Sequence, residues 1–353
     1  MAEPATLVRP AGHDAVLSCG RAGVFARCLR GEVRQPLDTA RLRAELPAVT
    51  TGLPTGAALS VVVHVATFLP MMWRFARPDW PEVVDDATHG RSVGAIAATD
   101  AGAPGTDLTA MTTRLEITGG DVVLDGAKTW VTNGLTADHL IVLARHRPGR
   151  HFGAFTAVLV PADTPGVSRA PAPTDLMAGA GLATVRFREV RLEKRHILGG
   201  VGRGLAAFLE HIAGERFAGG VWSAALGREL ITGTVEHLRK RSIDDRPLWE
   251  RSSARHALAR LDVRLRMLDA LVERVAATGE RDRLPAGDTM AVKAAVGELL
   301  PELAEHCLHA RGADGLTAGS GIRALADDLR AFAIAGGSTE TMLDMIATEL
   351  ARP

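Results

Sequence analysis

The chain predicts an α+β fold in which a helical segment, a β domain and a second helical segment follow one another. Two observations carry that expectation. Apolar residues recur at helical spacing over residues 1 to about 98 and again from Leu205 to Leu350. Between them, from about Val93 to Leu198, short β-branched runs alternate with Gly, Pro and Asp turns, the texture of a compact antiparallel sheet. The domains expected are a helical domain over 1–98, a β domain over 99–200 and a helical bundle over 201–353.

In the first segment, loops fall near Thr51 to Pro54 and around Pro78 to Pro81. The most apolar window, Ala57 to Trp73, contains His64, Thr67 and Pro70, and is expected to be a buried helix and not a membrane span. In the second, strands are expected at Thr113 to Thr118, Asp121 to Leu124, Leu140 to Ala144, Ala154 to Val160 and Thr184 to Phe187. Asp125-Gly126 has the signature of a tight turn leading into Lys128-Thr129-Trp130-Val131-Thr132-Asn133-Gly134. On a regular strand Trp130 and Thr132 would share a face, offering an aromatic wall and a hydroxyl to one planar ligand. An ordinary hairpin strand explains the same residues.

Charge and cysteine content exclude several classes. The 41 basic and 41 acidic residues cancel, so no field draws the protein to nucleic acid or an anionic membrane. Cys19, Cys28 and Cys307 lack CxxC spacing, and the start of the chain lacks a basic-then-apolar signal, so a reduced cytoplasmic setting is expected. His211, His237, His256, His306 and His309 are scattered and predict no metal site, and no GxSxG motif is present. The run Gly199 to Gly204 departs from GxGxxG spacing and follows no βαβ unit, so it reads as a flexible lead into a helix.

The third segment carries the most chemistry. Leu205, Phe208, Leu209 and Ile212 define an apolar stripe on which Glu215 and Arg216 also fall. A buried carboxylate and guanidinium are costly unless paired or employed, so the pair is either a structural ion pair or a working one. Gly219 and Gly220 permit close backbone approach beside it. Towards the end, Gly336-Gly337 precedes Ser338 or Thr339, either a good N-cap for a final amphipathic helix. Such a terminus also exposes N–H groups to an anionic or carbonyl oxygen.

Taken in order, these segments resemble the acyl-CoA dehydrogenase family of FAD flavoproteins from about Gly20 onwards. Thr99-Asp100 to Gly105-Thr106-Asp107 resembles the family's Thr-Glu-Pro to Gly-Ser-Asp loop with one extra residue. Lys128-Thr-Trp130-Val-Thr132-Asn133 resembles its Lys-x-Trp-Ile-Thr-Asn strand, and Ala137-Asp138-His139 follows. Glu215-Arg216, Lys293 in a later helix, and Gly336-Gly-Ser338-Thr-Glu340 complete the series. After Arg241 the chain reads Ser-Ile-Asp244-Asp245, where the family favours an aromatic residue and a Gly.

The resemblance implies an N-terminal helical domain, a middle antiparallel β domain and a C-terminal four-helix bundle. It implies FAD, with Trp130 flanking the flavin, Thr132 hydrogen-bonding near N5, and Thr99, Gly105 and Thr106 lining the ring and thioester. Ser338 and Glu340 would contact the dinucleotide portion, and Arg241 the pyrophosphate across a subunit interface. The reaction implied is α,β-desaturation of an acyl thioester, on CoA or an acyl-carrier protein. Electrons would pass to an electron-transfer flavoprotein or another acceptor, and the enzyme would be a homodimer or homotetramer. Most members carry the base immediately before the Gly of the C-terminal Gly-Thr; here that residue is Gly336. A subset uses a Glu just before the helix Arg, which makes Glu215 the expected base and leaves Gly336 to offer its N–H to the thioester carbonyl. A flavin monooxygenase or N-oxygenase, or a non-catalytic homologue, is compatible with the same residues.

Overall fold

The computed structural model describes residues 11–30, 36–76, 78–278, 283–317 and 319–351. In chain order the helices are α1 (Ala11–Arg21), α2 (Val24–Arg27), α3 (Thr39–Thr50), α4 (Thr55–Val63), α5 (Leu69–Met71) and α6 (Pro81–Thr88). After the sheet come α7 (Gly204–Lys240), α8 (Ser252–Thr278), α9 (Ala286–Ala310), α10 (Ala313–Leu316), α11 (Gly321–Arg330) and α12 (Thr339–Leu350). The strands are β1 (Gly94–Ala97), β2 (Arg114–Thr118), β3 (Asp121–Val131), β4 (His139–Arg145), β5 (Phe155–Pro161), β6 (Val167–Pro171), β7 (Ala183–Glu193) and β8 (Ile197–Leu198), with a small hairpin of β9 (Ser242–Ile243) and β10 (Arg246–Pro247). The chain divides into two compact units, Met1–Leu37 with Gly52–His211, and Asp38–Thr51 with Ile212–Pro353.

The first unit joins α1, α2, α4, α5 and α6 to a sheet ordered β6-β7-β3-β2-β4-β5-β8, with β1 added to β4 in parallel. The sheet therefore begins before residue 99. It is antiparallel except for β1 on β4 and a single parallel register of β2 on β4. Burial explains the sequence texture. The middle of β4 and of β5 is buried on both faces and reads as a continuous apolar run, whereas β7 alternates. The helix expected at Ala57 to Trp73 is there. It is broken by two π-helical segments, His64–Phe68 and Met72–Ala76, and is long and apolar enough by composition to cross a membrane. In the protein 89% of its most apolar window is buried. β1 lies directly on it: a methyl group on Gly94 would sit 2.1 Å from the Phe68 ring. His64 is locked there, Nε2 donating to Ala87 O (3.1 Å) and Nδ1 accepting from Gly94 N–H (3.2 Å).

Two local expectations are corrected. Asp125-Gly126 is not a hairpin turn; it lies inside β3, which continues to Val131, and the turn is at Gly119-Gly120. Gly126 takes φ 143° in a bulge where only glycine fits, since a Cβ there would lie 2.7 Å from Thr113 Cα. Nor do Trp130 and Thr132 share a strand face by alternation. The register slips between Lys128 and Val131, Trp130 adopts φ 57°, and Thr132 lies beyond the strand.

The second unit is a helical bundle. Leu258, Leu261, Leu265, Leu268, Val272 and Val275 form the buried seam of α8, and Val292, Val296, Leu299, Leu300 and Leu303 that of α9. The fourth helix of the expected bundle is represented by the shorter α11 and α12, both packed on α9. Helix α3 joins this unit as well, Thr39 Oγ1 donating to Ala276 O of α8 (3.2 Å).

Candidate active site

The first unit supplies a rigid frame around Trp130. Lys128 and Asp100 are both buried, and Lys128 Nζ donates to Asp100 Oδ1 (2.5 Å) and Ala98 O (2.8 Å). Asp100 also accepts from Thr113 N–H and Thr113 Oγ1, each at 2.8 Å, and from Thr112 N–H. Burial pushes the Asp100 carboxyl up, but the Lys128 charge and these donors outweigh it and hold it below its usual range. Burial brings the Lys128 amine down to about 8 against the pull of Asp100. The ion pair crosses from the 99–107 loop to β3, and two backbone bonds run beside it, Thr129 N–H to Thr99 O and Ala101 N–H to Ala127 O, both 2.9 Å. Thr99 is thereby fixed to Thr129, Trp130's neighbour on β3. Gly105 folds back onto it: a Cβ there would lie 3.3 Å from Thr99 Cγ2. Thr106 is exposed, and Thr132 half-buried. Trp130 itself is 52% exposed on its left-handed bulge, an aromatic plane held out by a buried anchor.

The second unit holds the remaining candidates, and brings Glu215 and Lys293 beside Gly336. Helix α7 begins in the first unit, where Leu205 and Phe208 are buried as expected and Leu209 is exposed, and from Ile212, also buried, it belongs to the second. Glu215 and Arg216 are half-buried. Arg216 Nε donates to Gly336 O (3.3 Å), and burial lowers its pKa against the favourable field of Glu215. Gly336 takes φ 73° and Gly337 φ 104°, a turn that other residues enter only with strain. A Cβ on Gly336 would lie 3.6 Å from Glu215 Oε1 and 3.7 Å from Lys293 Cε. Ser338 is the N-cap of α12, its Oγ accepting from Thr341 N–H (3.3 Å), while Glu340 is exposed in the first turn. Thr339 instead faces inward and donates to Ala333 O (3.3 Å). Arg241 stands apart. It follows the C-terminus of α7, 26 residues or about 39 Å along the chain's helical rise from Glu215, and is ion-paired with Asp314.

The structure adds three residues that sequence reasoning passed over: Asp100, the ionic role of Lys128, and the burial of Lys293. A lysine inside an apolar strand and a second inside the apolar stripe of α9 were the available signals. Among the described residues no group of three potential metal ligands is clustered.

With this geometry in place, comparison with known proteins decides the family. Residues 95–190 match the family model described as acyl-CoA dehydrogenase, middle domain, and residues 202–351 that described as acyl-CoA dehydrogenase, C-terminal domain. The chain belongs to the acyl-CoA dehydrogenase family. One relative is the acyl-[acyl-carrier-protein] dehydrogenase MbtN of Mycobacterium sp. (strain MCS), 26% identical over 94% of this chain and 84% of its own. Among solved structures, the prolyl acyl carrier protein oxidase AnaB superposes with a TM-score of 0.90 at 20% identity, covering 96% of this chain and 91% of its own. PigA with FAD and proline superposes with a TM-score of 0.88 at 18% identity, covering 96% and 89%. The family fold of helical, β and helical parts is the one built above.

Proposed function

We propose that this protein is an FAD-dependent dehydrogenase that introduces an α,β double bond into an acyl thioester, with Glu215 as the base. The carrying observation is the 3.6 Å between Glu215 Oε1 and the place where a side chain on Gly336 would begin. Relatives of the common type are expected to carry their base at that residue; here the carboxylate arrives from α7 instead. A half-buried carboxylate suits removal of a weakly acidic α-proton.

The residues of the first unit fit the isoalloxazine. A half-exposed indole on a braced bulge offers a flat wall, to which Thr99, Gly105, Thr106 and Thr132 would add short hydroxyls and bare backbone. FAD, when bound, supplies the hydride acceptor. Ser338 and Glu340 at the start of α12, together with Arg241, would hold its dinucleotide end, Arg241 exchanging Asp314 for phosphate. Arg216 fixes the Gly336 carbonyl and with it the residue whose N–H would meet the thioester oxygen as charge develops on it. The acyl group rides CoA or an acyl-carrier protein, electrons leave to an electron-transfer flavoprotein or another acceptor, and the enzyme works as a cytoplasmic homodimer or homotetramer.

The test is anaerobic. The purified protein is expected to carry a visible flavin spectrum that bleaches on adding saturated acyl thioesters, presented on CoA and on a phosphopantetheinylated carrier. Glu215→Gln should slow bleaching by about 10²–10⁴-fold. Bleaching at the unaltered rate in that variant removes Glu215 as the base. Flavin that ignores every thioester but drives oxygen consumption with NAD(P)H replaces the dehydrogenase reading with a monooxygenase.

A further inference from the structure

Lys293 has no packing reason to be where it is. It lies on the buried side of α9 between Val292 and Ala294, 7% exposed, among the apolar residues of the seam. Burying an ammonium ion there is expensive, and a leucine or methionine would fill the space without that cost. The position is employed instead. Nζ donates to Phe332 O (2.5 Å), tying α9 to the segment that turns through Gly336. Its Cε and Glu215 Oε1 reach to within 3.7 and 3.6 Å of one point beside Gly336, so the two side chains converge on the same small space from α9 and α7. The charged groups facing it are Glu215 and Arg216 from α7 and Glu340 from α12.

We infer that Lys293 is a positioning residue for Glu215: its ammonium keeps the carboxylate ionised and ready, while its hydrogen bond to Phe332 O holds the Gly336 turn against it. The inference rests on Glu215 being the base. Its physical content is electrostatic. Burial favours the neutral form of a carboxylate, and a nearby cation opposes that. Arg216, whose Nε is engaged with Gly336 O, contributes its charge in the same sense, and Lys293 adds a second cation from the opposite helix. Lys293 is itself brought down to about 8, by burial first and by the Arg216 charge next, with Glu215 and Glu340 opposing. The help it gives is therefore present at neutral and acid pH and fades above about 8.

That fading gives a test which a purely structural lysine would not pass. The rate of flavin bleaching by one saturated acyl-CoA is followed from pH 5.5 to 9.5 in the holoenzyme, in Lys293→Met and in Lys293→Arg, with flavin content measured for each. Expected is an acid limb displaced upward by about one pH unit in Lys293→Met, a tenfold deficit near the foot of that limb. At pH 9, where the wild-type amine is largely neutral, the two should agree within about threefold. Lys293→Arg keeps the charge and should keep the wild-type acid limb. A deficit in Lys293→Met of the same factor at every pH, with Glu215→Gln inactive, overturns the inference and leaves the base assignment standing. A fully active Glu215→Gln overturns both. If Lys293→Met does not hold flavin, Lys293→Arg decides: an acid limb moved despite the retained charge overturns the inference, and an unmoved limb, with high-pH activity constant, supports it.

Discussion

At the scale of single residues, the most consequential pair is Asp100 and Lys128, because both charges are wholly inside the protein. Removing one partner leaves the other buried without compensation. Lys128→Met is expected to cost about 3–5 kcal/mol in urea unfolding, and Lys128→Met with Asp100→Leu to recover part of it. Flavin binding should weaken in the single variant, since Thr99 is held to β3 through this pair. The pair also shows where reading the sequence stopped. Trp130 and Thr132 were legible as candidates because their chemistry is visible in their letters. Their geometry was not: alternation places both on one face, but a register slip and a left-handed Trp130 break the alternation. Nothing local in Lys128-Thr-Trp130 announces a bulge, which follows from how β7 pairs with β3.

At the scale of elements, α7 shows the opposite balance. Its buried stripe, Leu209 excepted, and the close approach beside Gly219-Gly220 follow from spacing and from the missing side chains. The structure divides the two glycines. A Cβ on Gly219 would meet nothing within 4 Å, whereas one on Gly220 would lie 2.4 Å from Val292 Cγ1 and 2.9 Å from Val272 Cγ2. Alanine normally stabilises a helix interior by about 1 kcal/mol over glycine. Gly219→Ala should show that gain, while Gly220→Ala should lose about 1–3 kcal/mol by forcing α8 and α9 outward. Thermal melts of the two variants should therefore move in opposite directions. The π-helical segments between Thr55 and Ala76 were not legible, because the same apolar run fits a regular α-helix equally well until β1 packs on it.

At the scale of the whole molecule, the α–β–α order was legible because it depends only on periodicity, which every residue in a segment repeats. The division into units was not, because it depends on contacts distant in sequence: α3, only 12 residues long, joins the bundle through Thr39 and α8. Stability should also carry the signature of its buried bases. Lys128 and Lys293 both fall to about 8 from 10.5, so between those values the unfolded chain holds protons the folded one has released. Stability must then rise with pH over that window, by on the order of a few kcal/mol, and stay flat in this respect below about 8. His64, brought by burial to about 4, adds a second rise between about 4 and 6.5 for the same reason. Urea midpoints measured from pH 4 to 10 should show both rises. Lys293→Met should flatten part of the upper one.

The exposed bulge at Trp130 has an optical consequence. The sequence has five tryptophans and no tyrosine, so near-ultraviolet emission comes from the indoles alone. Of the five, Trp130 is the most open to solvent; Trp222 is buried and Trp73, Trp80 and Trp249 are partly covered. The flavin-free protein should thus emit with a red, solvent-relaxed component that Trp130→Phe abolishes. A planar ligand stacking on that indole should quench the same component, turning the proposed flavin wall into a built-in fluorescent gauge of its own occupancy.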